Sequence, residues 1–250
     1  MAAVAKLSLI IPVYNEAAHL ASFMEGLIAA PCPIEREFIF VDDGSKDDSY
    51  SILEQLSKRF SIRVLRQQPN QGKGAAVRRG IREATGEFIM IQDADFEYDP
   101  SEVPALLKPL LEDRADVVYG SRFLQSLHPA PRTSSYFANR LLTWLSNLFS
   151  GLHLTDVETC YKIFRADLLK SMSLTSERFG IEIELTAYVG KTASRFCECP
   201  ISYHPRTRSQ GKKINWKDGV AALRHLVYYN FFRSVGESFT GLPKKYVPRS

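Results

Sequence analysis

Apolar and polar positions alternate in blocks along the first 125 residues. Leu7-Ser-Leu-Ile-Ile-Pro-Val13 is a short apolar run of the kind that forms a strand buried on both faces. Glu37–Val41, Ile62–Leu65, Glu87–Ile91 and Asp116–Tyr119 repeat it. Between them helical stretches cover Glu16–Ala29, Asp47–Phe60, Gly74–Ala84 and Ser101–Leu111. Ser101 with Pro104 just inside reads as a helix start, and Gly86 as a stop. Strands alternating with helices at this spacing predict an α/β fold, a mostly parallel sheet with helices on both faces.

After residue 125 the alternation weakens. Ser134–Phe149 reads as an amphipathic helix, with Phe137, Leu141, Trp144, Leu145 and Leu148 at helical spacing. Tyr161–Phe164 and Ile201–Tyr203 read as strands flanking a helix at Ile181–Gly190, and Trp216–Phe232 as a helix with an aromatic-rich face. Such stripes are usually core, so both faces are expected to pack on the sheet in preference to lipid. Pro200, Pro205 and Gly211 bracket a loop, and no linker or repeat divides the chain.

Composition narrows the class. With 250 residues, 45% hydrophobic and 24% charged, the chain is long enough for a full core and too apolar for a disordered tail. Four scattered cysteines, with Cys197 and Cys199 one residue apart, suit neither a disulfide framework nor a zinc site and suggest reduced thiols in a cytosol. The apolar stretches Ala138–Phe149 and Val220–Phe232 are broken by Arg140, Arg224 and His225, well short of the roughly 20 clean residues of a membrane span. Leu7–Val13 runs into Asn15-Glu16 without a cleavage site and does not read as a signal peptide. The net charge of +4 is uneven. Residues 201–250 hold ten Lys/Arg against two Asp/Glu (+8), and the first 200 hold 22 against 26 (−4). A basic end on an acidic body suggests an anionic partner there.

In a parallel sheet, ligands sit at the carboxyl ends of the strands. Here Val13 runs into Tyr14-Asn15-Glu16, Val41 into Asp42-Asp43-Gly44-Ser45, and Ile91 into Gln92-Asp93-Ala94-Asp95. On an extended segment Asp93 and Asp95 point to one side and can share a hard cation, Mg²⁺ or Mn²⁺, that keeps positions for phosphate oxygens. Glu97 is two residues further on. Gly72-Lys73-Gly74 is neither a dinucleotide fingerprint nor a Walker A loop. A tight turn into a helix and a nucleotide contact by Lys73 both remain open.

Taken together, Ile11-Pro12-Val13-Tyr14-Asn15-Glu16, Val41-Asp42-Asp43-Gly44-Ser45, Asn70-Gln71-Gly72-Lys73-Gly74-Ala75-Ala76, Asp93-Ala94-Asp95 and Gly120-Ser121-Arg122 resemble, in order and spacing over about residues 6–125, family 2 glycosyltransferases of the GT-A type. Gly-Ser-Arg and the later Thr155-Asp156 look most like dolichyl- or polyprenyl-phosphate mannose and glucose synthases. The resemblance implies one domain over 1–250: a nucleotide-sugar half (6–125), an acceptor half (126–235) and a basic tail (236–250). It implies a base and ribose pocket of Pro12, Tyr14, Glu16 and Asp42, with Asp43 beside them, and an Asp93 that touches the nucleotide and shares a metal with Asp95. Glu97 stands where such enzymes often have glutamine, which leaves the third ligand open. Arg122 would pair with phosphate or form a bidentate salt bridge that orients an acidic loop.

The basic stretch His204–Lys213 could close over the donor and neutralise charge on the leaving oxygen, with Arg206 and Lys212 as first choices. Arg132, Arg206 and Arg208 are candidates for an acceptor phosphate. Asp156, near Glu158, is the candidate base or acceptor-orienting residue. Asp95, Asp156, Arg206 and Lys212 thus make up the expected catalytic set. Glu182 and Glu184 read as decoration of a helix, although one could hydrogen-bond an acceptor. The five histidines form no ligand pair, and no Gly-x-Ser-x-Gly elbow supports a hydrolase.

The expectation is an inverting, metal-dependent transferase. It would move a sugar from a uridine or guanosine diphosphate donor to a polyprenyl phosphate on the cytoplasmic membrane face, with peripheral lipid contact through the two amphipathic helices as an option. A saccharide hydroxyl as acceptor and a nucleotidyltransferase are the alternatives. A nucleic-acid binder is disfavoured by the acidic body.

Overall fold

A computed structural model describes residues 5–124, 134–178, 180–206 and 216–248. Strands β1 (Lys6–Val13), β2 (Glu35–Asp42), β3 (Ile62–Arg66), β4 (Phe88–Ile91), β5 (Val117–Ser121), β6 (Lys162–Arg165) and β7 (Phe196–Pro200) form one sheet in the order β3-β2-β1-β4-β6-β5-β7. The helices are α1 (Leu20–Ala29), α2 (Ser49–Ser57), α3 (Lys73–Glu83), α4 (Val103–Leu111), α5 (Ser134–Ser150), α6 (Ala166–Ser171), α7 (Ile181–Gly190), α8 (Trp216–Val227) and α9 (Val235–Ser238). Leu7–Ile11 of β1 are all buried, because the strand is central and covered on both faces.

β1, β2, β3 and β4 pair in parallel. β6 enters antiparallel between β4 and β5, with Lys162 opposite both Ile91 and Tyr119, and β7 returns parallel to β5. The carboxyl ends of β1, β2, β4, β5 and β7 therefore share an edge with the amino end of β6. Segments 14–16, 42–45, 92–97, 121–122, 155–161 and 201–206 all meet at that edge, although they are spread over the chain.

Three local expectations are corrected. The last strand occupies Phe196–Pro200, and Ile201–Tyr203 leave the sheet after one backbone bond from Ile201 to Ser121 (3.0 Å). α1 begins at Leu20 and not at Glu16, because Asn15 adopts a left-handed conformation (φ 54°) that asparagine tolerates. Its side chain accepts from Lys46 N (2.8 Å) and its N–H donates to Ser45 Oγ (3.0 Å), tying the ends of β1 and β2 together. Asp99, not Ser101, caps the turn before α4 by accepting from Ser101 N (2.8 Å).

The largest correction concerns α5. Phe137, Leu141, Trp144 and Leu148 are exposed, and of the five stripe residues only Leu145 packs, partly buried, against the core. The buried face holds Asn139, Thr143 and Ser146 beside Leu142. On α8 and the π turn that continues it (Tyr228–Phe232), Ala222, Leu226 and Tyr229 are buried, while Val227, Phe231 and Phe232 are exposed. Among the described residues, no helix is long and apolar enough to cross a membrane.

Candidate active site

A carboxylate oxygen accepts about two hydrogen bonds, so counting them separates carboxylates that build the scaffold from those open to a ligand. Asp43 is full: Gln67 Nε2 (2.6 Å) and Gln71 N (2.8 Å) reach Oδ1, and Asn70 Nδ2 (2.8 Å) and Gly72 N (2.8 Å) reach Oδ2. It shapes the 67–72 loop and is withdrawn from the expected ribose pocket. Its neighbour Asp42 is buried but nearly bare. Oδ1 takes one long bond from Ser45 N (3.4 Å), and Oδ2 accepts none and has Arg66 Nε at 3.7 Å. The Arg66 guanidinium lies over the Tyr50 ring, 3.9 Å from its centroid.

Asp156 is also full. Arg122 reaches it through Nε (2.6 Å), Nη2 (2.7 Å) and the backbone N (3.1 Å), and Asn139 Nδ2 adds a fourth bond (3.2 Å). Burial, the largest single influence, pushes its carboxyl up, but the Arg122 charge, the Arg122 hydrogen bonds and the Lys162 charge together outweigh it and the net shift is downward. A saturated carboxylate held below its ordinary value is a poor proton acceptor, which weighs against the base alternative. Arg122 takes its bidentate salt-bridge alternative, with its guanidinium over Tyr203, 4.9 Å from the ring centroid. Glu198 on β7 completes the unit by accepting from Thr155 N and Oγ1 (both 2.8 Å) and from Asp156 N (3.2 Å).

Between these scaffolds lie Asp93 and Asp95, each held by a cation of the chain. Lys73 Nζ is 2.8 Å from Asp93 Oδ1 and 2.8 Å from Glu182 Oε1. The glycines on either side of Lys73 allow this. Gly72 is left-handed (φ 97°), and a Cβ on Gly72 or Gly74 would strike the backbone of 176–178 ahead of α7. The packing reading of Gly72-Lys73-Gly74 therefore holds, and it delivers Lys73 to Asp93. Burial opposes the charge on Asp93, but Lys73 leaves its carboxyl below the usual value.

Asp95 is bound by the Arg206 guanidinium, which also reaches Glu16 Oε2 (3.0 Å). Burial, then the charges of Asp93 and Glu97, push the Asp95 carboxyl up to about 6 against the pull of Arg206. Glu97 turns to the segment after β7, accepting from Arg206 N (2.8 Å) and Tyr203 OH (3.3 Å). Among the described residues, no group of three His, Cys, Asp or Glu side chains is gathered for a metal. The trio Asp93, Asp95 and Glu97 is not assembled, because each member has a cationic or hydrogen-bonding partner elsewhere. Asp93 and Asp95 still suit a hard cation. They are oxygen donors within electrostatic reach of one another, in a site where Glu16, Asp93, Asp95, Glu97 and Glu182 outnumber Arg206 and Lys73.

Helix α7 adds what the sequence reading set aside. Glu182 is buried, pairs with Lys73 and leaves Oε2 without a hydrogen bond. Glu184 is buried as well and accepts from Thr175 N and Ser176 N (both 2.8 Å). Both are corrected from surface decoration to interior groups. The signal was there: Ile181-Glu-Ile-Glu-Leu185 alternates acid with large aliphatics in a stretch without other charge. Glu158 leaves Oε1 without a hydrogen bond, and burial followed by the Glu182 charge raises its carboxyl to about 7. Lys162, fully buried, donates to the carbonyls of Val157 (2.8 Å) and Thr159 (2.6 Å). Burial lowers its ammonium to about 8.

Pro12 pairs with Val41 in the sheet, and Tyr14 and Glu16 follow at the same edge. Arg132, Arg208 and Lys212 lie outside the described residues. A cavity of about 360 Å³ between α1 and residues 95–101, walled by Phe23, Pro31 and Phe96, touches Asp95 but none of the Lys73, Arg122 or Asp156 groups.

The family model for glycosyl transferase family 2 matches residues 8–172. Dolichol-phosphate mannosyltransferase of Pyrococcus furiosus is 25% identical, over 93% of this chain and 65% of its own length. Undecaprenyl-phosphate mannosyltransferase of Micrococcus luteus is 28% identical, over 86% and 90%. Dodecaprenyl-phosphate galacturonate synthase of Rhizobium johnstonii is 28% identical over 83% of this chain, which spans 61% of that relative. Among solved structures, glucosyl-3-phosphoglycerate synthase of Mycobacterium tuberculosis, in complex with Mn²⁺, uridine diphosphate and glucosyl-3-phosphoglycerate, superposes with a TM-score of 0.68. It is 19% identical and covers 92% of this chain and 81% of that one.

Proposed function

The chain belongs to glycosyl transferase family 2 and is a glycosyltransferase of GT-A fold, and from that premise we propose that it transfers a sugar, with inversion, from a nucleoside diphosphate sugar to a polyprenyl phosphate at the cytoplasmic face of a membrane. The observation that carries the reading is the pairing of the carboxylates at this edge with two cations of the chain, Arg206 on Asp95 and Glu16, and Lys73 on Asp93 and Glu182 of α7. The buried Asp42 oxygen that accepts no hydrogen bond, in the strand end next to Pro12 and Tyr14, suits a hydrogen-bond donor of a base or ribose. Asp93 and Asp95 would hold Mg²⁺ or Mn²⁺, which when bound neutralises diphosphate oxygens.

Arg206 then exchanges carboxylate partners for the diphosphate and stabilises the charge that develops as the bond from the anomeric carbon to the leaving oxygen breaks. An acceptor phosphate oxygen forms the new bond from the opposite side, and the nucleoside diphosphate departs with the electron pair. Lys212, Arg132 and Arg208 are the further cations assigned to the leaving group and the acceptor phosphate. A phosphate monoester, with a second pKa of about 6, needs no strong base, which agrees with the saturation of Asp156. The names of the relatives support the same acceptor class.

A saccharide hydroxyl is the second reading, favoured by one feature. Glu158, with a free oxygen and a carboxyl near 7, has the basicity that a hydroxyl acceptor requires. Labelled UDP- and GDP-sugars offered with undecaprenyl phosphate or with free saccharides separate the two. Lipid-linked product that persists in Glu158→Gln supports the first reading. Transfer only to a saccharide, abolished by the same substitution, replaces it with the second, and nucleotide in the product with release of pyrophosphate overturns both.

A further inference from the structure

Phe137, Leu141, Trp144 and Leu148 recur at intervals of four, three and four residues, one row down α5, and stand 54% to 63% exposed. They cannot turn inward without dismantling the site, because the opposite face of the helix is built into it. Asn139 bonds Asp156, Thr143 Oγ1 bonds Asn139 and accepts from Val157 N, and the Asn147 amide holds both the N–H and the carbonyl of Leu154 (2.8 Å each). Phe149, at the end of α5, meets Phe231 of the π turn edge-on, with ring centroids 4.8 Å apart. The row thereby continues into Phe231 and Phe232, which are 62% and 71% exposed.

Soluble surfaces rarely carry a contiguous apolar patch of this kind without a partner. The charge around it identifies which partner. Residues 134–150 contain Arg140 and no acid, and residues 216–238 contain Lys217, Arg224, His225 and Arg233 against Asp218 and Glu237. Large aromatics flanked by an excess of cations match the boundary between headgroups and acyl chains of an anionic bilayer.

We propose that this face of α5 and the π turn docks onto an anionic lipid surface, sinking the aromatic row among the headgroups and setting the loop that carries Asp156 directly above the bilayer. The inference deepens the reading of a lipid-linked acceptor and is tested without that acceptor. In a Trp216→Phe background, Trp144 is the sole tryptophan, and its emission is followed with vesicles of phosphatidylglycerol or of phosphatidylcholine, free of polyprenyl phosphate. The expected result is a blue shift with quenching by bromine-labelled acyl chains and sedimentation with anionic vesicles at least tenfold stronger than with neutral ones. Phe137→Ser combined with Leu148→Ser should weaken sedimentation at least tenfold while donor hydrolysis is unchanged. Undiminished sedimentation of that variant overturns the proposal. So does a wild-type chain that ignores vesicles but forms a dimer lost on the same substitutions, which would make the patch a subunit interface. Vesicle binding with no transfer to polyprenyl phosphate would leave the docking face standing and sink only the acceptor assignment.

Discussion

At the residue scale, the site is a set of carboxylates sorted by how many of their lone pairs the scaffold has taken. Asp43 and Asp156 are full and structural; Asp42, Glu158 and Glu182 keep an oxygen with no hydrogen bond. Arg206 competes with any cation for Asp95. Arg206→Ala should therefore bind Mn²⁺ without nucleotide roughly tenfold more tightly, about 1.4 kcal/mol for one competing charge removed, while turnover falls; titration calorimetry reads the first and a transfer assay the second. Asp95→Asn should cut turnover at least ~10²-fold with an unaltered circular dichroism spectrum. The Arg122–Asp156 pair carries a pH signature. Because the Asp156 carboxyl is held below its ordinary 3.8, its contribution is complete above that value and is lost as the pH falls through the lowered one. Asp156→Asn should cost about 3–5 kcal/mol at neutral pH by stranding a buried arginine. Urea unfolding should show the gap to wild type narrowing below pH 4, and a gap that stays constant with pH would refute this account.

At the element scale, α5 shows how an amphipathic helix can be read correctly in position and wrongly in orientation. Its span matches the expectation, yet its apolar row faces out, because the polar side is needed to hold residues 154–157. Thr143→Val, which removes a donor to Asn139 and an acceptor for Val157 N, should cost ~1–3 kcal/mol and lower turnover as the Asp156 loop loosens. Leu141→Ser, two residues away on the outer side, should shift stability by less than about 0.5 kcal/mol. Thermal melts of the two variants give the comparison. Helix α7 makes the converse point. The alternation of acid and aliphatic in Ile181–Leu185 marks its two glutamates as interior groups, but only the fold supplies their partners, Lys73 for Glu182 and Thr175 and Ser176 for Glu184.

At the scale of the whole molecule, one sheet edge collects groups that are remote in sequence, so ligand binding there should be felt as global stability. A cognate nucleotide sugar at 100 times its Kd should add about 2.7 kcal/mol, roughly 5–10 °C in melting temperature for a domain of this size. Mg²⁺ or Mn²⁺ should be required, and a screen of UDP- and GDP-sugars reads it directly. By itself the sequence determined the strand-helix alternation, the acidic strand ends and the family, because hydrophobic period and motif spacing are local and survive without a partner. Only the tertiary structure decided that β6 runs antiparallel between β4 and β5, which brings Asp156 and Glu158 to the edge that holds Asp93 and Asp95, and that β7 lies parallel to β5, which brings Arg206 there. It also decided which carboxylates are closed and which face of α5 is outward. Hydrogen-bond saturation and burial depend on what lies across space from a residue, and no periodicity along the chain encodes that.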